Sequence, residues 1–370
     1  MLQSIGCRFW MVLFLVLHTN KAVLNEEETL ETIVIHTAQQ KAYNQQRVNQ
    51  KYLQENYSGS LAKTLANVVG LDAVTIGSQT AKPMMRGLGF TRMAVTENGI
   101  KQEGQQWGAD HGLEINALTT ESVEVIKGVG TITHGSDAIA GVVAINNETI
   151  PADGFKAQFA TTVHSVNKSW ANGLNVSYKK DKHFYKFKSS YSTYADYNVP
   201  VDEITYLGTK IPLTNGNMTN TAGNEFSLYG QWGYIGDKFQ SILSLSQFQS
   251  SSGFFAGAHG IPSVDDAKSD GDNRTIGMPN QEVKHTKLTY HAKWLNTHDV
   301  WDFKIGFQRN HRSENSLFHS HYSNQIAPTL NPDLELDFKL NTFNTELTYK
   351  KDWLLDHTST FGVQQQYQLN

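Results

Sequence analysis

A chain of 370 residues, 39% hydrophobic and 18% charged, has enough of both kinds to fold as ordinary domains. It carries too few charges for a disordered chain and too few apolar residues for a bundle of membrane helices. The net charge of −4 gives no reason to expect a nucleic-acid partner, and the single cysteine, Cys7, rules out an internal disulfide framework or thiolate metal site.

In chain order, residues 1–22 read as an export signal. Arg8 supplies positive charge, and Phe9 to Leu17 is an unbroken apolar run of signal-peptide length, too short to cross a bilayer as a helix. Residues 23–59 form a polar leader rich in Glu, Gln and Asn. Within it, Glu31, Thr32, Ile33, Val34 and Ile35 make a short β-branched run. Such a run either adds to the sheet edge of another protein or forms the first strand of the next domain.

Residues 60–150 predict a small α+β domain. Ser60 is a plausible N-cap, and Leu61 to Leu65 carry helical spacing. Short strands are expected at Ala73 to Ile76, Arg92 to Thr96, Val123 to Ile126 and Val142 to Ile145. Glycines at 87, 89, 99, 104, 128, 130, 135 and 141 are expected to supply positive-φ turns between them. Arg86 to Phe90 (RGLGF) lacks the Gly-Lys-Ser/Thr of a phosphate loop and the spacing of a dinucleotide fingerprint.

From residue 151 onward apolar and polar residues alternate with period two. Phe226, Leu228, Trp232 and Tyr234 share one face, with Ser227, Tyr229 and Gln231 on the other. Leu288, Tyr290, Ala292 and Trp294 oppose Lys287, Thr289, His291 and Lys293. About nine long strands follow this rule, near 155–166, 171–180, 182–194, 223–235, 238–251, 282–296, 299–312, 335–351 and 355–369. Their connections alternate between short turns and long loops, the pattern of a transmembrane antiparallel β-barrel. Strands in soluble sandwiches are shorter, about five or six residues. Tyr234, Trp294, Trp301, Tyr349 and Trp353 near strand ends suit interfacial girdles. The expected fold class is mainly β: a small α+β plug and an incomplete barrel.

Val123 to Asn146 (VEVIKGVGTITHGSDAIAGVVAIN) resembles the closing segment of the plug of TonB-dependent outer-membrane receptors. Glu124, Gly128, Gly135 and Gly141 match its motif, while Val129, His134, Ala140 and Ala144 depart from it. An alanine at 140 in place of the family's glycine costs about 1 kcal/mol or more if φ is positive there. Arg86 and Gly87 match the plug's Arg-Gly segment, Asn98-Gly99 stands where the family often has Asp-Gly, and Ser60 to Leu71 is similar to the helix that opens the plug. The three motifs occur in order, and the resemblance covers residues 30–370. It implies that Glu31 to Ile35 is the TonB box, which pairs with a TonB-type energy-transducing protein. It also implies a bacterial outer-membrane location with lipid around the barrel, and uptake of an iron-siderophore, haem or other metal complex without catalysis or cofactor. A non-transporting binding or adhesion protein is the alternative. An enzyme is disfavoured, since neither a His-Glu-x-x-His helix nor a Gly-x-Ser-x-Gly elbow is present.

The implied ligand contacts are Gln105, Gln106, Trp107, Asp110 and His111 in the plug's outward loop, together with the long barrel loops. His319 and His321, two apart, reach one face of a strand and suit a metal. Asp265, Asp266, Asp270 and Asp272 read as a solvated loop, and His291 as a lumen-facing polar residue. Complete receptors of this type have barrels of about 22 strands. A chain with some nine strands is therefore expected to be a fragment or a truncated gene product.

Overall fold

The computed structural model describes residues 45–370 apart from 78, 105, 106, 108–110, 207, 256–271, 318–325, 327, 328, 355 and 356. The signal segment and Glu31 to Ile35 lie outside the described residues, as do Gln105, Gln106, Asp110, Asp265, Asp266, Asp270, His319 and His321.

The plug is built on a mixed five-stranded sheet. Its strands are β1 (Gln45–Asn49), β4 (Met93–Glu97), β5 (Ile100–Lys101), β6 (Ser122–Ile126) and β7 (Gly141–Asn146), in the order β1-β6-β7-β4-β5. Only the β4–β7 pair is parallel. A hairpin of β2 (Leu71–Ile76) and β3 (Thr80–Met85) packs beside it. Two short helices close the core, α1 (Gln50–Glu55) and α2 (Leu61–Leu65). Ser60 caps α2 as expected, accepting from the Lys63 amide, and Asn49 caps α1 by accepting from Tyr52. Leu53, Leu61, Leu65, Met85, Val95, Val123, Val125, Val143 and Ile145 fill the interior. Each such side chain contributes roughly 1.5–3 kcal/mol when fully buried.

The plug starts earlier than the expected boundary at 60. Residues 45–57, placed by the sequence reading in the polar leader, contribute β1, α1 and the buried Val48, Leu53 and Tyr57. Gln45 to Asn49 has one inward side chain, so it shows no apolar alternation, and its backbone pairing to β6 holds it in place. Strand β3 was also not expected, because it contains Lys82 and Pro83.

Two hairpin turns follow local chemistry. Arg86-Gly87 (φ 53° and 76°) and Asn98-Gly99 (φ 52° and 82°) both hold two consecutive positive φ angles, the condition for tight two-residue hairpins. Gly141 (φ 155°) sits against Met85 and the Ile126 carbonyl, with no room for a Cβ. Ala140 is not among the positive-φ residues, and its amide donates to the Arg92 carbonyl at 2.8 Å, so the expected strain is not present. Gly89 is extended at φ −144°.

The barrel region is one antiparallel sheet of nine strands. They are β8 (Gly154–His164), β9 (Ser169–Lys180), β10 (His183–Tyr194), β13 (Gly223–Ile235), β14 (Phe239–Gly253), β15 (Asn280–Leu295), β16 (Asp299–Asn315), β17 (Leu334–Leu354) and β18 (His357–Leu369). All nine expected strands are found, each within a few residues of its predicted ends. A small hairpin, β11 (Glu203–Tyr206) and β12 (Thr209–Pro212), occupies the connection 195–222. It is held by Ile211, Leu213 and Met218. Turns at 181–182, 236–238 and 296–298 lie on one rim, and the tight turn 165–168, the connection 195–222 and the far ends of β14 and β16 lie on the other.

Side chains sort by strand face. Phe159, Leu174, Phe187, Trp232, Leu245, Leu288, Ile305, Phe343, Leu347 and Val363 point outward and stay exposed. Lys186, Lys188, Ser190, Gln231, Ser244, His285, Lys287, Gln308, Asn310 and Arg312 point inward and are buried. This reverses the arrangement of a soluble sheet and fits lipid outside with a polar lumen. The short-turn rim carries an aromatic row in which Phe239, Trp294, Trp301, Tyr349 and Phe361 are successive cross-strand partners. Ring centroids are 5.0 Å apart for Phe239–Trp294 and 4.5 Å for Trp301–Tyr349. Tyr and Trp favour this position because their rings are apolar at one end and polar at the other.

Candidate functional site: the seam between plug and barrel wall

Inward side chains of β10, β13, β15 and β16 meet the plug across a seam that is polar along most of its depth. The plug presents mainly acids and the wall mainly bases. At the long-loop end Glu114 is the hub. Its Oε2 accepts from His285 Nδ1 at 2.6 Å and from Asn310 Nδ2 at 2.5 Å, and its Oε1 accepts from Arg312 Nη2 at 2.8 Å. Arg312 Nη1 also donates to Gln281 Oε1, and Gln281 Nε2 donates to Thr80 Oγ1 at 3.2 Å. At mid-depth Lys287 pairs with Glu97 and donates to Gln102 Oε1 at 2.9 Å. Beside them Lys186 and Lys188 close on Glu121 at 2.8 and 2.9 Å and on Asn147. Toward the short-turn end His291 bridges Glu148 (2.6 Å) and Asp302 (2.9 Å). His291 is thus lumen-facing as expected, and it is also a contact to the plug.

The electrostatics favour ionised plug carboxylates. Burial alone works to raise Glu114. The hydrogen bond and charge of His285, with Arg312, overcome it and bring the carboxyl down to about 2. Glu97 and Glu121 move the same way. Burial is again outweighed, by Lys287 for Glu97 and by Lys188 and Lys186 for Glu121. A charge is tolerated out of water when it is paired and its remaining lone pairs are hydrogen-bonded, and these three carboxylates meet that condition.

Apolar contacts are few and close. Leu118 rests on Gly173 and Ile100 on Gly306, where a Cβ on the glycine would come within 2.9 and 3.1 Å of the plug side chain. Glycine on the wall here lets the plug backbone approach closely.

Of the sequence-predicted ligand residues, Trp107 and His111 are among the described ones, and both lie at the long-loop end. Lys82, itself buried, donates to the carbonyls of Gly104 (3.1 Å) and Trp107 (2.6 Å). Trp107 is half-buried, stacks on Phe338 of β17 at 5.3 Å and lies 5.7 Å from the Arg312 guanidinium. His111 is buried, and its Nε2 contacts Glu314 Oε1 at 2.6 Å, which ties it to β16. His311 lies on β16 and faces outward to Asp337 at 2.7 Å. Of the plug-motif residues, Arg86, Gly87, Gly128 and Gly135 hold positive φ at turns, Gly141 opens β7, and Glu124 lies on β6 opposite Arg47. None of them belongs to the seam's ionic contacts. Among the described residues, no group of three or more His, Cys, Asp or Glu is placed to hold a metal ion.

The sequence reading missed Glu97, Glu114, Glu121, Lys186, Lys188, His285, Lys287 and Arg312. The available signal was the run of bases on the lumen faces of the strands and of acids in the plug.

Comparison with known proteins agrees with this architecture. Residues 37–142 match the TonB-dependent receptor plug domain. The fold is shared with a mutant of the ferric enterobactin receptor PfeA from Pseudomonas aeruginosa (TM-score 0.67, 10% identity, 89% of this chain and 49% of that one). It is also shared with the siderophore receptor PirA from Acinetobacter baumannii (TM-score 0.62, 12% identity, 88% and 47%). A third is the ferric yersiniabactin uptake receptor FyuA from Yersinia pestis (TM-score 0.61, 14% identity, 89% and 49%). The chain spans about half the length of these solved receptors. Residues 37–142 thus carry a TonB-dependent receptor plug domain, and the chain shares with these solved receptors the fold of a plug followed by barrel strands. Receptors of this class sit in the bacterial outer membrane and are not enzymes.

Proposed function

We propose that the chain provides the plug and the first barrel strands of a receptor for energised uptake of a scarce iron-siderophore, haem or other metal complex. The observation that carries the reading is the seam. A plug meant to stay would be sealed to the wall by apolar packing. This one is held by charged and hydrogen-bonded groups, each of which water can replace at a net loss of about 0.5–1.5 kcal/mol for a neutral hydrogen bond and about 1.5–3 kcal/mol for one to a charged group. Such a plug is seated firmly at rest and is movable under an applied pull. The names of the matched receptors, which refer to ferric enterobactin, ferric yersiniabactin and siderophores, support an iron complex as the cargo class.

In this reading Glu31 to Ile35 is the TonB box, adding as a strand to the energy-transducing protein. Trp107 and His111, with Gln105, Gln106 and Asp110 near them in sequence, contact the ligand at the long-loop end. The test is radioiron uptake by cells that lack their other iron receptors. Candidate iron(III) catecholate, hydroxamate and haem cargoes are supplied separately. One cargo should accumulate in an energy-dependent way. Deleting residues 31–35 should abolish accumulation and leave surface binding intact. Accumulation that survives the deletion would refute the role given to that segment, and absence of binding by all cargoes would refute the ligand class.

A further inference from the structure

We propose that the cavity between plug and wall beside Glu225 binds one monovalent alkali cation, with the Glu225 carboxylate as its charged ligand. Glu225 is the odd member of the seam. Glu97, Glu114, Glu121 and Glu148 from the plug, and Asp302 and Glu314 from the wall, each touch a lysine, arginine or histidine. Glu225, on β13 and only 8% exposed, touches none among the described residues. The donor it does have is the neutral side-chain amide of Asn116. Two nearby phenols are engaged elsewhere: Tyr57 donates to the Gly59 carbonyl at 2.8 Å, and Tyr194 pairs with Ser252. A carboxylate taken out of water needs a balancing charge, and buried charges are paired or hold a metal.

Space for that charge is present. A cavity of about 30 Å³ lies against Glu225, between Gln79 and Thr80 of the plug and Ser250 and Ser252 of the wall. About 10–15 Å³ is enough for one water, so the cavity takes an ion together with a water. The pairing register puts Ser192 and Ser250 directly opposite Glu225 on the two flanking strands, so hydroxyl oxygens stand on both sides of the carboxylate. Hard cations take oxygen ligands. Charge selects the valence. Glu114 and Arg312 also line the cavity, but Arg312 is committed to Glu114 at 2.8 Å, and so is His285 at 2.6 Å. Glu225 is left with one uncompensated negative charge. One monovalent ion balances it, whereas calcium draws on several charged oxygen ligands. The site needs one carboxylate and neutral oxygens, not a group of acids or histidines.

The test soaks crystals of the protein in thallium(I), which occupies potassium sites and scatters anomalously. An anomalous peak should lie in the cavity within coordination distance of Glu225 in the wild type and be absent from Glu225→Gln. In solution, protection of the plug against proteolysis is followed along a urea gradient in sodium, potassium or choline chloride. Equal ionic strength removes general screening from the comparison. Wild type should need more urea in sodium or potassium than in choline, because the ion binds the seated plug and not the released one. Glu225→Gln has no charge to balance, so it should be at least as protected as wild type in choline and indifferent to the cation. Ser250→Ala keeps the carboxylate and removes one oxygen, and should raise the ion concentration for half-effect by about tenfold. Absence of a thallium peak in wild type, or a peak that survives Glu225→Gln, would overturn the proposal. Equal protection of wild type in all three salts would also overturn it, with a proton balancing Glu225 instead. A response to calcium chloride alone would overturn the monovalent assignment.

Discussion

The interior of the plug and the seam around it are both buried, yet they are made of opposite materials. The interior is leucine, valine, isoleucine and methionine around a five-stranded sheet. The seam is glutamate, lysine, histidine, arginine and asparagine, with isolated apolar contacts at glycines. Apolar burial is non-directional and independent of pH, and it binds its parts into one cooperative unit. Ion pairs out of water contribute little net stability, because desolvation offsets their attraction, but they are costly to leave half-made. The contrast says that the plug is a rigid body whose internal order does not depend on the wall, while its seating on the wall is specific and reversible.

The sharpest way to break the comparison is to remove one partner of the hub. Arg312→Met leaves Glu114 charged and without its guanidinium donor, and should cost about 3–5 kcal/mol of plug seating. Adding Glu114→Leu to Arg312→Met should recover most of that loss. Urea titration followed by protection of the plug against proteolysis reads both. In the plug interior, Leu53→Ala should cost about 2–5 kcal/mol. That loss should be the same at neutral and mildly acid pH, since no titrating group is involved.

Acid sharpens the contrast from the other side. The Glu114 carboxyl is depressed to about 2 in the folded protein. Its contribution is therefore complete above the ordinary carboxylate range and is lost as pH falls from about 5 toward 2, on the order of 3 kcal/mol in all. Glu97 and Glu121 shift in the same direction and add to the effect. Plug release should rise through this window while far-ultraviolet circular dichroism of the plug sheet persists. The smallest expected effect is Gly141→Ala, which must push Met85 aside at positive φ and should cost about 1–3 kcal/mol. It should appear in the unfolding midpoint of the plug and leave the acid window where it is.

The barrel strands were legible because every second residue of their outward face is apolar, as Leu288, Tyr290, Ala292 and Trp294 on β15 and Trp301, Phe303, Ile305 and Phe307 on β16 illustrate. The turns at Asn98-Gly99 and Arg86-Gly87 were legible as glycine punctuation. Strands β1 and β3 were not, since Gln45 to Asn49 buries one side chain and Thr80 to Met85 contains a lysine and a proline. Their places are fixed by pairing partners far along the chain. The hub was illegible for the same reason. Glu114 and Arg312 are separated by the last part of the plug and six strands of the barrel sheet, and nothing local to either residue announces the other. His111 was legible as a polar residue close to Trp107, and only the inward face of β16 reveals Glu314 as its partner.

The most direct test of a reversible polar seam around an independent apolar core is thiol labelling at neutral pH along a urea gradient. With Cys7→Ser as background, one reporter is Ser227→Cys, buried in the seam beside Thr119. The other is Val125→Cys, buried in the plug interior. The account predicts that the seam thiol becomes reactive at a clearly lower urea concentration than the core thiol. If both become reactive together at one midpoint, seam and core are a single cooperative unit, and the plug is not a separately seated body.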